Sequence, residues 1–367
     1  MYLTPTSLVP YLLGRGLIDA NVIVRGDLQV VEFERNNRCF KIVSRTGPSY
    51  FLKQIRERDD RTESALRREA AVYQLAANSP QFEPLRNLLP AFHAYDETHH
   101  AVILEFFPDS ENVHQYHNRV DDYPVEIGRL MGQSLGVFHS QLGREFASQI
   151  EASDVHRSLW LREPPWILSF HKDQGDGQLS PANQQLLELI RADDQMQEIL
   201  DQLVELWRFD GLMHRDLKWN NVLFPTSEEN LSDLSVRILD WELADVGDWC
   251  WDAGMMLQNW WSFQTLSAPA DAPQGAEEFV AHPTFGFAAI RAAVSEFWST
   301  WISTVDIKVR SESRFVEKCV RYAAARMLQT VYELLHHADH LNDRDLRLFR
   351  VSQFLLKNPG VAMNSLS

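Results

Sequence analysis

The sequence predicts an α+β chain in two lobes: a small antiparallel sheet with one helix, then a larger, mostly helical part. Two changes of pattern carry that prediction. Over residues 28–55, short β-branched and aromatic runs alternate with turn residues. Beyond residue 120, apolar residues recur at helical spacing instead. A third observation is the stretch 212–224, L-M-H-R-D-L-K-W-N-N-V-L-F, a charged and amide-rich loop held between two apolar runs.

In chain order, Thr4-Pro5 predicts a helix start, a capping hydroxyl before proline at the first helical position. Leu8, Tyr11, Leu12 and Leu17 give this helix an apolar side, and Gly14 and Gly16 end it. Strands are expected at 22–25, 28–34, 39–44 and 50–55, separated by Gly26-Asp27, 35–38 and 46–49. This is an antiparallel meander. A helix follows over 62–77, with Ala65, Leu66, Glu69, Ala70, Val72, Tyr73 and Ala76 on or near one face. Glu69 is the one acid on that side. Strands at 91–95 and 101–107 complete the first lobe, and Pro108-Asp109 ends the second of them.

The first lobe is thus expected over residues 1–107 and the second over 108–367. The second holds a helix at 127–140 whose glycines permit close packing, an irregular insert bounded by 163–165 and 175–177, and helices at 181–191 and 194–207. The region after Asp252 is again helical, interrupted by a loop at 267–275, with amphipathic stretches at 287–305 and 315–337.

A chain of 367 residues with 45% hydrophobic and 23% charged residues suits a folded globular protein. Its longest apolar runs, such as 101–104, are far too short to span a bilayer, and no secretory signal is expected. Cys39, Cys250 and Cys319 are widely spaced and lack metal-ligand spacing, which fits reduced thiols in the cytoplasm. The net charge of −16 is uneven: residues 1–100 balance at +1 and the remainder at −17. Such a body repels nucleic acid and anionic membrane and favours cationic partners, or else keeps a solvated surface soluble.

His214, Asp216 and Asn221 stand in the order H-x-D-x-x-x-x-N, and Asp240 follows a β-like run 24 residues after Asp216. One carboxylate to orient a hydroxyl, with an amide and a second carboxylate to hold Mg²⁺, is the minimum set for phosphoryl transfer from ATP. In the first lobe, strand alternation puts Lys53 on the same face as Phe51 and Ile55. A lysine there needs an anion, and Glu69 and the ATP phosphates are the natural ones.

With these residues in view, the chain resembles the protein-kinase-like superfamily, and within it the aminoglycoside phosphotransferase and choline kinase branch. The resemblance rests on H-R-D-L-K-W-N-N at 214–221 and L-D-W-E-L-A-D-V-G-D-W-C-W-D at 239–252, where protein kinases would show D-F-G. It implies an ATP- and Mg²⁺-dependent kinase with an alcohol acceptor. Asp216 would be the catalytic carboxylate, Asn221 and Asp240 the metal ligands, and Asp252 the anchor of the catalytic loop. Lys218 matches the lysine of H-R-D-L-K in hydroxyl-directed protein kinases and would neutralise charge on the moving phosphoryl group, although the small-molecule branch usually has another residue there. His214 would brace the loop, and Glu242 and Asp248 would support the metal site or serve as caps. Glu105 and Phe107, in L-E-F-F at 104–107, match the segment whose main chain meets the adenine edge. One departure is the loop E-R-N-N-R at 34–38, which has no glycine to bring amides close to phosphate.

The acceptor stays open at this level. A small cationic molecule suits the acidic second lobe. The segments K-W-N-N at 218–221 and 240–252 also look similar to kinase components of lanthipeptide biosynthesis, which phosphorylate Ser/Thr of a ribosomal peptide for a partner lyase. A pseudokinase scaffold is the third reading, and the joint presence of Lys53, Glu69, Asp216, Asn221 and Asp240 argues against it.

Overall fold

The structure is a computed structural model and describes residues 2–34, 37–120, 122–143, 147, 154–173, 179–226, 235–305, 313–363 and 366. The expected turn residues Arg35 and Asn36 and the glycine cluster at 175–177 lie outside these. The chain divides into two compact units, one of residues 1–116, 153–159 and 220–244, the other of residues 117–152, 160–219 and 245–367.

The first unit is built on strands β1 (Leu28–Glu34), β2 (Arg38–Ser44), β3 (Tyr50–Gln54), β4 (Phe92–Asp96) and β5 (Ala101–Glu105). They form one antiparallel sheet in the order β1-β2-β3-β5-β4. The last strand ends at Glu105, two residues before the sequence suggests, although the Phe106 amide still donates to the Ser49 carbonyl at 2.9 Å in register with the β3–β5 ladder. Helix α1 (Pro5–Gly14) begins in a reciprocal cap in which Thr4 and Ser7 each accept the other's backbone N–H.

The expected strand at 22–25 is instead a short helix, α2 (Ala20–Val24), since the Asp19 carboxylate accepts the Asn21 amide at 2.7 Å and caps it. Its apolar run V-I-V was read as a strand, yet none of its residues is buried. Helix α3 (Asp60–Asn78) carries Glu69 on its buried side.

Leu8 and Leu12 of α1 pack with Phe40, Ile42, Leu52 and Ile103 of the sheet. The same helix is tied to β4 through Asp96, which accepts the Tyr11 hydroxyl at 2.8 Å, pairs with Arg15 and His99, and accepts the amides of Thr98 and His99. A second antiparallel sheet joins Ser110–Asn112, Val222–Pro225 and Arg237–Ile238. It fixes the residues just outside its strands: Asn221 precedes one and Asp240 follows another.

In the second unit, the helix Val125–Gln141 packs along Arg291–Thr304, and Trp249–Ser267 packs along Ser313–Leu334. The first of these pairs depends on glycines at a spacing of four. A Cβ at Gly128 would lie 2.1 Å from the Ala293 carbonyl oxygen, and one at Gly132 would lie 2.4 Å from that of Phe297. Two short strands, Gly211–Met213 and Asp245–Gly247, pair antiparallel and flank residues 214–244 in the sequence. Among the described residues, no helix is long and apolar enough to cross a membrane.

Two outcomes follow from this packing. Gly132→Ala gains about 1 kcal/mol of helix propensity but drives a methyl into a backbone oxygen that cannot rotate away. A net destabilisation on the order of 1–2 kcal/mol is expected from overpacking costs. Gly14→Ala, with nothing within 4 Å of the new methyl, is the control and should not lose stability in the same thermal melt.

Asp96 supplies the second outcome. Burial opposes its ionisation, but hydrogen bonds from Tyr11, His99 and Arg15 outweigh burial and hold the carboxyl well below the usual range. A depressed carboxyl contributes stability that is present above its unfolded value, about 4, and is lost as pH falls toward the folded one. Asp96→Asn should therefore lower the urea midpoint at pH 7, and its deficit against the parent should shrink at pH 3.

Candidate active site

The predicted residues gather into two clusters, one in each unit. In the first unit, Lys53 stands on β3 opposite Cys39 of β2 and Val102 of β5. Its buried ammonium reaches Glu69 Oε2 at 2.8 Å, Asp240 Oδ1 at 2.5 Å and Glu242 Oε2 at 2.7 Å. Burial alone would lower the Lys53 pKa, yet the carboxylates of Glu69, Asp240 and Glu242 outweigh it and hold the ammonium charged. Burial likewise pushes the Glu69 carboxyl up, helped by its acidic neighbours and opposed by Lys53.

Asp240 adopts a left-handed backbone with φ of 66°, unusual for a residue with a side chain. The segment around it is held on both sides. The Leu239 amide donates to the Asn221 carbonyl at 2.8 Å, and the buried Trp241 indole donates to the Ile238 carbonyl at 3.1 Å. Arg68, the residue before Glu69, donates to the main-chain carbonyls of Glu242 and Ser158. Asn37 donates its side-chain amide to Glu242 Oε2 at 3.4 Å.

Candidate ligand atoms of Glu69, Asp240 and Glu242 lie within 4.8 Å of one another. An all-oxygen, carboxylate-rich set is the chemistry a hard divalent cation such as Mg²⁺ selects. Glu105 and Phe107 stand at and just past the end of β5. The Glu105 amide is spent on the Ala91 carbonyl, and the Phe107 carbonyl accepts the Ser110 hydroxyl at 2.8 Å. The Phe107 ring lies under the Arg237 guanidinium at 5.6 Å.

In the second unit, the loop that carries Asp216 is tied down by its own backbone. The amides of His214 and Arg215 donate to the two oxygens of Asp252 at 2.7 and 2.9 Å, and Asp252 is fully buried on Trp249–Ser267. The Asp216 amide donates to His214 Nδ1 at 3.2 Å, so the buried imidazole braces the loop. Arg215 takes a left-handed φ of 68°, and its carbonyl accepts the Trp251 indole at 3.3 Å.

Asn259, on the same helix as Asp252, grips the loop twice, donating to the Leu217 carbonyl at 3.1 Å and accepting the Trp219 amide at 3.4 Å. Lys218 Nζ lies 3.0 Å from Asp216 Oδ1 and 3.6 Å from Glu333. Arg326, buried on Ser313–Leu334, approaches the same Asp216 oxygen at 3.7 Å and Glu333 at 3.2 Å.

The other acids of 239–252 do backbone work. Asp248 caps Trp249–Ser267 by accepting the Cys250 amide at 3.0 Å and pairs with Lys318 at 2.8 Å. Asp245 is fully buried and accepts the amides of Leu161, Arg162 and Glu163.

The structure thus brings Lys53 together with Glu69 and Asp240, and Asp216 together with Lys218. Sequence reasoning missed Asn259, Arg326 and Glu333, and gave Glu242 no place beside Lys53. For Arg326 a signal existed. Cys319, Tyr322, Ala323 and Arg326 share one face by helical spacing, which puts a guanidinium in a row of buried residues.

An α+β fold with a five-stranded antiparallel N-terminal sheet, a paired strand lysine and helix glutamate, and an H-x-D-x-x-x-x-N loop is the protein-kinase-like fold. The sequence model of the phosphotransferase enzyme family matches residues 27–292, and the chain belongs to that family. By that membership it is a phosphotransferase.

A choline/ethanolamine kinase family protein from Mesorhizobium loti shares the fold with a TM-score of 0.51 at 13% identity, over 96% of this chain and 97% of that one. A macrolide 2′-phosphotransferase from Brachybacterium faecium aligns with a TM-score of 0.47 at 16% identity, over 94% and 97%. A choline kinase from Streptococcus pneumoniae aligns with a TM-score of 0.47 at 12% identity, over 94% and 99%. No curated protein sequence matched the chain.

The double grip of Asp252 makes its charge testable apart from chemistry. Asp252→Asn leaves one of the His214 and Arg215 amides facing a donor, a cost of about 1–3 kcal/mol for an unsatisfied buried group. Thermal melting should fall accordingly, and hydrogen exchange at those two amides should accelerate.

Proposed function

We propose that the protein transfers the γ-phosphoryl group of ATP to an alcohol hydroxyl of a small cationic molecule. The observation that carries this reading is the buried Lys53 ammonium shared by Glu69, Asp240 and Glu242, a strand lysine and helix glutamate paired as phosphoryl transfer from ATP requires. In this reading Lys53 holds ATP phosphates and Glu69 holds Lys53. The main chain at Glu105 and Phe107 meets the adenine edge.

Asn221 and Asp240 would hold Mg²⁺, and the oxygen-rich donor set around Asp240 fits a hard cation. The ion, when bound, neutralises phosphate charge. Asp216 takes the proton of the acceptor hydroxyl as that oxygen bonds to phosphorus and the bond from phosphorus to the departing ADP oxygen breaks. Lys218 offsets the negative charge that develops on the moving group. Its 3.0 Å approach to Asp216 supports a place beside the reacting atoms.

The cationic acceptor is supported by the balance of −17 over residues 101–367. A panel of amines, amino alcohols and aminoglycosides, assayed for ADP release from ATP with Mg²⁺, tests the reading. Turnover with a member of the panel is expected. Asp216→Asn should reduce it by a factor of about 10³ or more while ATP still binds in titration calorimetry. A panel without turnover, set against phosphorylation of a Ser/Thr-rich peptide, would move the assignment to a peptide acceptor. An Asp216→Asn variant with undiminished turnover would remove Asp216 from its role.

A further inference from the structure

We propose that Arg326 and Glu333, both on the helix Ser313–Leu334, are positioning residues that hold Asp216 and Lys218 in place for phosphoryl transfer. This rests on the reading of Asp216 as the carboxylate that takes the acceptor proton. The geometry is a closed circuit of alternating charge: Asp216 to Lys218 at 3.0 Å, Lys218 to Glu333 at 3.6 Å, Glu333 to Arg326 at 3.2 Å, and Arg326 back to Asp216 at 3.7 Å. Each cation has a near and a far carboxylate. Lys218 sits closer to Asp216 and Arg326 closer to Glu333, so Glu333 keeps the second cation from closing on the base.

A guanidinium buried as Arg326 is must be paired or it is costly. Its partners run toward the catalytic loop by a second route as well. Arg326 donates to the Thr330 hydroxyl at 3.0 Å, and that hydroxyl meets Gln258 Oε1 at 3.4 Å. Gln258 donates to Asn259 at 3.1 Å, and Asn259 grips the main chain of Leu217 and Trp219. One helix therefore addresses both the side chain of Asp216 and the backbone that follows it.

The charge on Glu333 is secure. Burial opposes it, but Arg326 and Lys218 outweigh burial and hold its carboxyl below the usual range. Neutralising Glu333 leaves two cations facing one carboxylate. A carboxylate clasped by two cations is a poorer proton acceptor, and Lys218 is no longer drawn to the side.

The test is Glu333→Gln, alone and combined with Lys218→Ala, measured as ADP release from ATP, Mg²⁺ and the acceptor that the panel above identifies. The Glu333 side chain is 37% exposed, and glutamine keeps a carbonyl oxygen that can still accept from Arg326, so the variant should melt close to the parent. The expected result is a kcat lowered roughly 10- to 100-fold with KM for ATP unchanged within about twofold. In the Lys218→Ala background the same substitution should cost less than about threefold, because positioning acts through Lys218. Arg326→Lys should retain more turnover than Arg326→Met.

Unchanged kcat in Glu333→Gln, or the same fold-loss in both backgrounds, overturns the inference and leaves the role of Asp216 standing. A parent enzyme silent with every acceptor, or an active Asp216→Asn, overturns the reading beneath it and the inference together.

Discussion

The buried ammonium of Lys53 is the constraint on which the first unit's cluster depends. Taking an ammonium out of water carries an effective cost of several kcal/mol, and only opposed charge at close range offsets it. Here Glu69 comes from α3, while Asp240 and Glu242 come from a segment that the chain reaches some 190 residues after Lys53. Strand, helix and segment are therefore fixed to one another by charge as well as by packing. The dependence is mutual, since without Lys53 the crowded carboxylates of Glu69, Asp240 and Glu242 would repel one another. The left-handed turn at Asp240 belongs to the same bargain. Strain of that kind costs about 1–3 kcal/mol and persists where surroundings over-determine it, as Leu239, Trp241 and the Lys53 pair do here.

The second unit uses charge differently. Asp245, Asp248 and Asp252 are all fully buried within one short segment, and each accepts backbone amides, with Lys318 also paired to Asp248 and Arg215 to Asp245. A carboxylate that accepts two amides holds a loop more rigidly than apolar packing does, because the bonds are directional and charge-assisted. Asp252 also sits in the first turn of Trp249–Ser267, where the helix dipole favours an anion. The acids of this segment thus divide by role: Asp240 and Glu242 face an ammonium, and the three that follow build the frame.

Part of this division was legible in the sequence. Alternation along 50–55 put Lys53 inward, and helical spacing put Glu69 on the buried side of its helix, so their pairing could be foreseen. The dense block at 239–252 marked Asp240 and Asp252. The strand expected at 22–25 failed because a β-branched triplet says nothing about the cap before it, and Asp19 decides that local competition in favour of helix. Asn259, Arg326 and Glu333 were missed for another reason. Their partners lie about 40 to 115 residues away in sequence, and no local period links a helix face to a loop so remote. Glu242 was noticed, but spacing alone could not distinguish a cap from a partner of Lys53.

These partnerships change what the acidic balance of residues 101–367 says about an acceptor. A net charge of −17 suggests a surface ready for cations, yet five of its acids are already committed. Asp240 and Glu242 answer Lys53, while Asp245, Asp248 and Asp252 answer the backbone. Glu333 is shared by Lys218 and Arg326, the two cations that also approach Asp216. On the proposed reading, a cationic acceptor that used Glu333 would compete with Lys218 for it, and Lys218 would be pressed toward Asp216, the carboxylate proposed to take the proton. The proposed recognition of a cationic acceptor is therefore better served by acids outside the circuit. In such an arrangement the acceptor presents its hydroxyl to Asp216 while its cationic group stays away from Lys218, and binding and proton transfer do not oppose each other.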